Sequence, residues 1–302
     1  QRKAPVNASY AMTFSACVFV LKCIIDEDIP VNEGYYKHVR LIAPKGSVVN
    51  CTIPYPVVGG WETHVRLIDV MLKACSLAIP EKMPAGTKAT NCQIGSGGID
   101  PRKNEYYCFY EAIGGGFGGR IRSDGPDAVG VHGQNTQNAP VEETEQNYPL
   151  RISRYELIND SGGAGKHRGG LGIRRDYELI NHDASMTVLS DRDYWGPWGL
   201  FGGGDAKHCE LTVKTKEKKF KKYMKKMRLP VNKDSVISIT TGGGGGWGDS
   251  YKRDVESVKK DVVNGYVSLQ SAYKDYGVAI SSKSFKINQV KTKKLRNKKI
   301  KS

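Results

Sequence analysis

Four glycine clusters constrain the folding of this 302-residue chain more than any other feature. They read GGGFGG, SGGAGKHRGGLG, GLFGGG and GGGGGWG, and they span residues 114–119, 161–172, 199–204 and 242–248. Glycine lacks a Cβ atom, so it accepts positive φ angles and lets a second backbone approach closely. Because runs with strand character separate the clusters, we expect tightly packed layers of backbone. The alternative for one of the clusters is a nest of amides near an anionic ligand.

The glycines do not match either common phosphate-binding motif. A Walker loop requires GxxxxGK followed by Ser or Thr. At the nearest match, Gly165-Lys166, Asp160 stands at the first glycine position and His167 at the hydroxyl position. A GxGxxG match within residues 243–248 is a consequence of the polyglycine run alone, and no acidic residue follows a second apolar strand at the spacing that a dinucleotide fold requires. The sequence therefore argues against a nucleotide site in this chain.

The net charge of +15 is concentrated in two segments. Residues 207–233 hold eleven Lys or Arg against two Glu, and residues 283–301 hold nine and no acid. The rest of the chain is left with about −3. Lysine dominates both segments, and few arginines or aromatic rings are present to read or stack on bases. We expect a solvated surface insertion and a frayed basic tail, with contact to a polyanion or partner as the alternative, and no nucleic-acid binding.

Cysteine usage and hydropathy indicate a soluble, cytoplasmic protein. The seven cysteines are scattered and form no CxxC motif, which favours reduced thiols over disulfides or a zinc site. The most apolar run, residues 16–25, is interrupted by Lys22 and is too short to cross a bilayer. We therefore assign neither a membrane segment nor a metal site to this chain.

The pattern of apolar residues predicts a mixed, strand-rich α+β fold with glycine-rich turns. Residues 1–100 are expected to form a helix-strand-helix portion. Its first helix covers residues 8–25 and is capped by Asn7 or Ser9, two short strands lie in 38–50, and a second helix within 61–84 is ended by Pro80.

The remaining residues are predicted as a β portion followed by helices. Residues 101–249 form the glycine-rich β portion with a Lys-rich insertion near 214–233, residues 250–278 a C-terminal helix pair, and residues 279–302 a basic tail. The predicted strands cover 106–112, 148–158, 173–180, 184–190, 209–213 and 235–240. The last glycine run is expected to be an ordered corner with Trp247 buried as a packing anchor.

The second predicted helix carries the first candidates for chemistry, Glu62, His64 and Arg66. Glu62 and Arg66 have the favourable i,i+4 spacing, so ion pairs on a polar helix face compete with a pocket-lining role. His64 and Asp69 are five positions apart and lie on poorly matched faces of a helix, so a shared metal is not expected.

Two further groups of side chains are candidates. Glu142 and Glu143 in NAPVEETEQNYP can supply a general base or a metal ligand, although a surface turn has the same composition. Lys166, His167 and Arg168 lie between glycine pairs, where they can hold a carboxylate or phosphate or can pair structurally with Asp160.

Several stretches follow one another in a characteristic order: PVNASYAMT, IPVNEGYYKHVRLIAPKGSVVN, IPYPVVGGWETHVRLIDVMLKA, APVEETEQNYPLRISRYEL, DSGGAGKHRGGLGIRR, PWGLFGGG and GGGGGWGD. In this order, over residues 5–277, the chain resembles the hydantoinase B / 5-oxoprolinase family. The resemblance implies a subunit of an ATP-dependent enzyme that opens cyclic amides or carboxylates ketones. It also implies a hydantoinase A-type ATPase partner that holds ATP and Mg.

The resemblance further implies that part of such a subunit lies elsewhere. Members of the family are longer at the N-terminus, and the residues that bind a divalent metal, Zn or Mn, lie in that part. We therefore expect either the C-terminal half of a divided subunit, with a separate polypeptide carrying the N-terminal half, or an incomplete sequence. Trp61 stands where a small or amide residue is expected, which leaves the preference among small-molecule substrates open.

Three functions follow from the resemblance. The leading hypothesis is a subunit of an ATP-dependent cyclic-amide hydrolase of the hydantoinase or oxoprolinase type. The first alternative is a subunit of an acetone or acetophenone type ketone carboxylase. The second alternative is a structural subunit without catalytic residues of its own.

Overall fold

A computed structural model describes residues 1–26, 28–215, 221–223 and 227–299. They form helices and two antiparallel sheets, which confirms the predicted α+β fold class. In this part of the chain no helix has the length and apolar character needed to cross a membrane.

The N-terminal portion contains three helices, α1 (Tyr10–Ile25), α2 (Glu33–Tyr36) and α3 (Gly60–Cys75). Ser9 caps α1, as one of the two predicted caps, by accepting a hydrogen bond from the Met12 amide at 3.4 Å. The helices α1 and α3 pack against each other around a small core that includes Ala16, Val20, Ile68 and Leu72.

Two predictions for this portion are wrong. Residues 38–50 form turns and an isolated bridge instead of two strands, because Gly46 donates its amide to the Asn50 carbonyl at 2.9 Å and closes the segment on itself. The helix α3 ends at Cys75, and Pro80 begins a short 3₁₀ turn instead of ending the helix.

The strands over the described residues are β1 (Gln93–Asp100), β2 (Glu105–Ala112), β3 (Leu150–Leu157), β4 (Ile173–Leu179), β5 (Ala184–Leu189), β6 (Glu210–Lys214), β7 (Lys221–Tyr223), β8 (Met227–Val231) and β9 (Val236–Thr240). One sheet has the order β2-β1-β5-β8 and the other β3-β4-β9-β6-β7, all antiparallel. Both sheets contribute side chains to the main core, among them Phe109, Tyr177, Met186 and Ile237.

The six predicted strands are confirmed, and β1, β7 and β8 were missed. Two glycines in the middle of β1 hide its strand pattern, since Gly97 and Gly98 have no side chain to alternate. The hairpin of β1 and β2 includes residue 100. The predicted boundary between the first and second portions of the chain therefore falls within one sheet, and the division into domains stays a prediction.

The Lys-rich segment 214–233 is not entirely a solvated insertion. Its strand β7 pairs with β6, and β8 pairs with β5. Val231 at the end of β8 is only 3% exposed and belongs to the main core. The rest of this prediction, over residues 216–220 and 224–226, lies outside the described residues.

The glycine clusters pack against one another as layers of backbone, as predicted. In the last run, Gly244 donates to Gly170 O at 2.8 Å, Gly245 to Gly86 O at 2.7 Å and Gly246 to Gly204 O at 3.0 Å. A Cβ added at Gly244 would lie 1.9 Å from the Phe117 carbonyl oxygen. The amides of Gly243 to Gly246 therefore donate to neighbouring backbone, that of Gly242 donates to Cys209 Sγ, and the run does not form an anion nest.

Trp247 ends the run and is only partly buried, where full burial was predicted. Its ring packs edge-on against Phe201, with ring centroids 5.4 Å apart, and tilts against His167 at 6.3 Å. It therefore anchors the corner from the edge of a core and not from its centre.

Helices α4 (Val141–Asn147), α5 (Val255–Val263), α6 (Leu269–Lys274) and α7 (Gln289–Lys299) complete the chain. The pair α5 and α6 is confirmed, with Asp254 and Ser268 as N-caps. The basic tail was predicted to be frayed, but it contains α7. The helix is held because Arg296 donates to Arg253 O at 2.8 Å and buried Thr292 accepts the Ala279 amide at 3.1 Å.

Candidate functional site

A cavity of about 320 Å³ lies beside the N-terminal end of α3, and we call it the α3 pocket. Its wall includes the aromatic side chains of Trp61 and Tyr110. The other lining residues are small or carry neutral polar groups: Asn91, Gln93, Ala112, Gly133, Gln134, Asn135 and Thr136. The lining therefore contains no charged side chain.

The start of α3 is fixed by close backbone approach. A Cβ at Gly59 would lie 2.0 Å from the Pro5 carbonyl oxygen, and one at Gly60 would lie 2.8 Å from that of Asn7. Only glycine allows this contact. It directs Trp61 to the pocket mouth, where the side chain is half exposed, and it turns the next residue, Glu62, into the protein.

Glu62 supports the pocket wall from behind. Its two carboxylate oxygens accept hydrogen bonds from Thr90 Oγ1 at 2.5 Å and from the Asn91 amide at 3.0 Å. Burial raises the pKa of Glu62 to about 7, against the lowering effect of these two hydrogen bonds and of the Lys88 charge. Glu62 thus acts on the pocket by holding Asn91 and does not line it.

The segment that carries Asn91 has a strained backbone. Ala89 and Cys92 both have positive φ angles, 43° and 49°, which cost energy for residues other than glycine. Within this segment Lys88 is fully buried and donates to the Ile113 carbonyl, and burial lowers the pKa of its amine. These contacts hold the strained conformation that presents Asn91 to the cavity.

The side-chain amides of Asn91 and Gln134 have unused hydrogen-bonding atoms. Asn91 Oδ1 and Gln134 Nε2 are buried and have no partner within the described part of the chain. Both residues line the α3 pocket. A buried polar atom without a partner costs free energy, so a ligand that supplies the complementary groups gains that energy.

His64 lies directly behind Gly133, which lines the pocket. A Cβ at Gly133 would be 2.9 Å from His64 Cε1 and 3.2 Å from its Nδ1. His64 Nδ1 is buried without a partner among the residues that the structure describes. Burial, assisted by the charge of nearby His132, lowers the pKa of His64, so the imidazole is favoured in its neutral form.

Arg66 points away from the α3 pocket, and the predicted i,i+4 pair with Glu62 is not formed. Arg66 instead forms an ion pair with Asp191 at 2.8 Å. Asp69, one turn further along α3, accepts hydrogen bonds from Arg192 at 2.5 Å and from Trp198 Nε1 at 2.9 Å. These contacts fix α3 against the loop after β5 and give Arg66 a structural role.

The acidic segment is a helix and not a loop or turn. Glu142 and Glu143 lie on α4 and are exposed, and neither lines the α3 pocket. Their neighbour Glu145 accepts the Ile152 amide at 2.8 Å and ties α4 to β3. The structure therefore does not bring Glu142 and Glu143 together with Glu62 and His64.

The three basic residues of the second glycine cluster also lie apart from the pocket. Arg168 is buried and pairs with Asp127 at 2.8 Å, Lys166 is exposed, and His167 Nδ1 is 4.0 Å from Asp124. Asp160, the predicted structural partner, instead accepts the Ser268 amide at 2.8 Å. Arg168 therefore pairs with Asp127 and not with Asp160.

The sequence reasoning missed Asn91, Tyr110 and Gln134, and it noted Trp61 only as a departure from the family pattern. Each is an ordinary residue type in its local segment, and the four segments are distant along the chain. A divalent metal does not fit the described residues, since they contain no group of three or more His, Cys, Asp or Glu side chains that could hold one.

The chain belongs to the hydantoinase B/oxoprolinase family, whose profile matches residues 1–250. This confirms the resemblance and, at a general level, an enzyme family. An uncharacterized protein of Methanocaldococcus jannaschii is 40% identical over 299 residues, 98% of this chain and 52% of that relative. Caprolactamase subunit beta of Pseudomonas jessenii is 31% identical over 263 residues, 83% of this chain and 45% of the relative.

Solved structures show the same fold. The crystal structure of ATP-dependent caprolactamase from Pseudomonas jessenii matches with a TM-score of 0.85 and 25% identity, covering 97% of this chain and 52% of that one. The nucleotide-free structure of acetone carboxylase matches with a TM-score of 0.84 and 19% identity, covering 98% of this chain and 45% of that one. This chain thus spans about half the length of each of the relatives named here.

Proposed function

We propose that this chain is a subunit, or the C-terminal half of a divided B-type subunit, of an ATP-dependent cyclic-amide hydrolase, and that the α3 pocket binds the ring of the substrate. The observation that carries the proposal is the pair of unpartnered groups, Asn91 Oδ1 and Gln134 Nε2, in a cavity between the aromatic side chains of Trp61 and Tyr110.

The chemistry of a cyclic amide complements this cavity. A small lactam or hydantoin ring holds its amide in the cis form, so the N–H and C=O groups lie on one edge. Those groups satisfy an acceptor such as Asn91 Oδ1 and a donor such as Gln134 Nε2, which removes the cost of leaving both unpartnered. The faces of Trp61 and Tyr110 offer apolar surface to the rest of the ring.

Membership of the family indicates which other polypeptides would complete the enzyme. ATP and Mg are assigned to a hydantoinase A-type partner, because the amides of the glycine run here are used by neighbouring backbone. ATP supplies the activation that an amide needs before water can open it. A divalent metal is assigned to the remaining half of the B-type subunit or to another subunit, since the described residues do not offer three ligands for it.

The test compares two glutamine variants in the native complex, isolated through a tag on this chain. ATP hydrolysis is measured with hydantoin, 5-oxoproline and caprolactam as substrates. We expect Gln134→Ala to raise KM about tenfold, since one lost hydrogen bond in a buried site costs about 1–2 kcal/mol. The control Gln146→Ala changes an exposed residue of α4 and should leave KM unchanged. Equal effects of both variants would refute a role for the α3 pocket.

Ketone carboxylation is the competing chemistry, and the fold shared with acetone carboxylase makes its test worthwhile. A ketone has no N–H group, so it would leave Asn91 Oδ1 unpartnered. Bicarbonate-dependent ATP hydrolysis with acetone or acetophenone, and none with the cyclic amides, would replace the hydrolase proposal. The structural-subunit hypothesis fails if this chain and an A-type partner together turn over substrate without another B-type polypeptide.

A further inference from the structure

One face of the four-stranded sheet is uncovered. Residues alternate between the two faces of a strand, and in β2 the inward residues Tyr107 and Phe109 are buried, whereas Tyr106, Cys108 and Tyr110 are exposed. The paired positions of neighbouring strands show the same side to solvent. We call this surface the outer face; it consists of Gln93, Gly95, Gly97, Ile99, Tyr106, Cys108, Tyr110, Ala112, Ser185, Thr187 and Leu189, with Arg228 and Pro230 of β8 at its edge.

The composition of the outer face is that of an interface core. Of its thirteen residues only Arg228, on the edge strand β8, is charged, although 25% of the whole chain is Asp, Glu, Lys or Arg. Aromatic side chains are prominent, with Tyr106 73% and Tyr110 63% exposed. Depletion of charge and enrichment of tyrosine distinguish the centres of protein interfaces from ordinary surface.

The outer face is one continuous surface and not a scatter of single exposed residues. Three strands about 4.8 Å apart and six to eight residues long give a plane of roughly 300–400 Å². Exposed loop residues extend it, because the backbone at Gly59 packs against Leu189 of the outer face. Val58 and Trp61 on either side of that contact are 76% and 50% exposed. The largest patch on a typical monomer has about this extent and often serves a function, which supports an interaction site here.

The outer face is continuous with the α3 pocket, since Gln93, Tyr110 and Ala112 belong to both. A polypeptide that covers the outer face would therefore also border the pocket mouth at Trp61. The solved relatives indicate which polypeptide is available: the match covers 97% of this chain but 52% of the caprolactamase chain. About half of such a subunit is not represented in the residues described here.

We propose that the outer face is the docking surface for the remaining half of the B-type subunit, and that this half closes the mouth of the α3 pocket. The inference rests on the proposed assignment to a B-type subunit, but not on the identity of its substrate. The surface of the remaining half that docks here is expected to be largely uncharged and to accommodate aromatic side chains. The occupant is therefore not a second copy of this chain.

Two exposed cysteines provide a matched test. Cys108 lies on the outer face and Cys23 lies on α1, and both are exposed. Alkylation by iodoacetamide is measured at each residue by mass spectrometry, in this chain alone and in the native enzyme purified through a tag on this chain. We expect alkylation of Cys108 to slow at least about tenfold in the native enzyme, while that of Cys23 changes little, because docking removes the outer face from solvent.

Three outcomes of this experiment would overturn the proposal. The first is a Cys108 that reacts equally fast in the native enzyme and in the isolated chain. The second is protection of Cys108 in the isolated chain at high concentration, which would identify a second copy as the occupant. The third is protection in a native preparation whose bound polypeptides include no further hydantoinase B-type sequence.

A pair of variants tests the same surface through assembly. Cys108→Glu places a charge in the centre of the outer face without changing a buried side chain, and Cys23→Glu is the control. We expect Cys108→Glu alone to reduce recovery of the remaining half at least about tenfold, with unchanged melting of the isolated chain. Normal recovery would refute the docking surface. If the intact complex assembles in this way but opens no cyclic amide, only the proposed function fails.

Discussion

Burial of Glu62, behind the wall of the α3 pocket, makes the free energy of unfolding depend on pH. One substitution can isolate this effect. Its pKa is raised from 4.5 to about 7, chiefly by burial. Between these values the unfolded chain releases the proton while the folded protein retains it. The free energy of unfolding therefore falls as the pH rises through this window, by about 3 kcal/mol in total. We expect Glu62→Gln to remove this slope, as measured by urea unfolding at about pH 4.5 and about pH 8.

The control for this prediction is an exposed carboxyl group. Glu142 is exposed on α4, so Glu142→Gln should leave the slope of the native protein in place. A Glu62→Gln variant whose stability still falls with pH as in the native protein would show that another group is responsible.

Gly133 packs so closely against His64 that a side chain at this position would contact the imidazole ring. It has a φ of +76°, and an added Cβ would lie 2.9 Å from both His64 Cε1 and Ile68 Cδ1. Gly133→Ala combines backbone strain with overpacking, so we expect a loss of about 2–4 kcal/mol in unfolding free energy. Gly46→Ala is the matched control, because Gly46 has a φ of +78° and no atom within 4 Å of the added Cβ.

The two glycine variants separate strain from packing. Gly46→Ala should cost only about 1 kcal/mol, the penalty of the left-handed backbone. Both unfolding free energies are measured by chemical denaturation. Equal losses of unfolding free energy in the two variants would mean that His64 and Ile68 move aside at little cost and that the residues behind the pocket repack easily.

At the scale of elements, the glycine clusters act as one layered unit. In Gly244→Ala the Cβ would lie 1.9 Å from the Phe117 carbonyl oxygen, a contact that only backbone displacement can relieve. We expect this variant to lose more than about 4 kcal/mol or to fail to fold. Gly204→Ala is the control, since its Cβ would lie no closer than 3.6 Å to Ala164 and should cost under about 1 kcal/mol. Thermal unfolding of the two variants decides the question, and a well-folded Gly244→Ala would contradict the layered packing.

For the whole molecule, the occupied amides of the glycine run predict how the chain responds to nucleotide. Gly243, Gly244 and Gly245 all donate to backbone carbonyls, so no amide of these three is left to bind phosphate. We expect MgATP at about 1 mM to leave the melting temperature of the isolated chain unchanged, because a ligand that does not bind the folded state cannot stabilise it. A rise of more than about 2 °C would contradict the assignment of the nucleotide to a partner subunit.

Local features of the sequence predicted much of the fold. Helices α1, α3, α5 and α6 follow from local sequence patterns, and Ser9 was one of the two predicted caps of α1. The prediction failed where stability comes from distant contacts. The helix α7 has no apolar stripe, and it is held by the buried hydroxyl of Thr292 and by the reach of Arg296 to Arg253.

The candidate site was predicted only in part. The sequence selected the helix of Glu62 and His64, which does border the α3 pocket. It could not show that Glu142, Glu143 and the basic residues 166–168 lie elsewhere. Their residue types suit catalysis or binding. In the structure, however, Glu142 and Glu143 are exposed on α4, and Arg168 is held in an ion pair with Asp127.

By itself, the sequence determined that backbone layers pack closely, that the glycine run is no phosphate-binding motif, and to which family the chain belongs. These are local or ordered properties of the residues: a missing Cβ, a spacing and a succession of motifs. Only the tertiary structure decided that Asn91, Tyr110 and Gln134 share a cavity with Trp61, and that the pKa of Glu62 is raised to about 7. Proximity and burial are produced by packing between distant segments, and no single segment contains them.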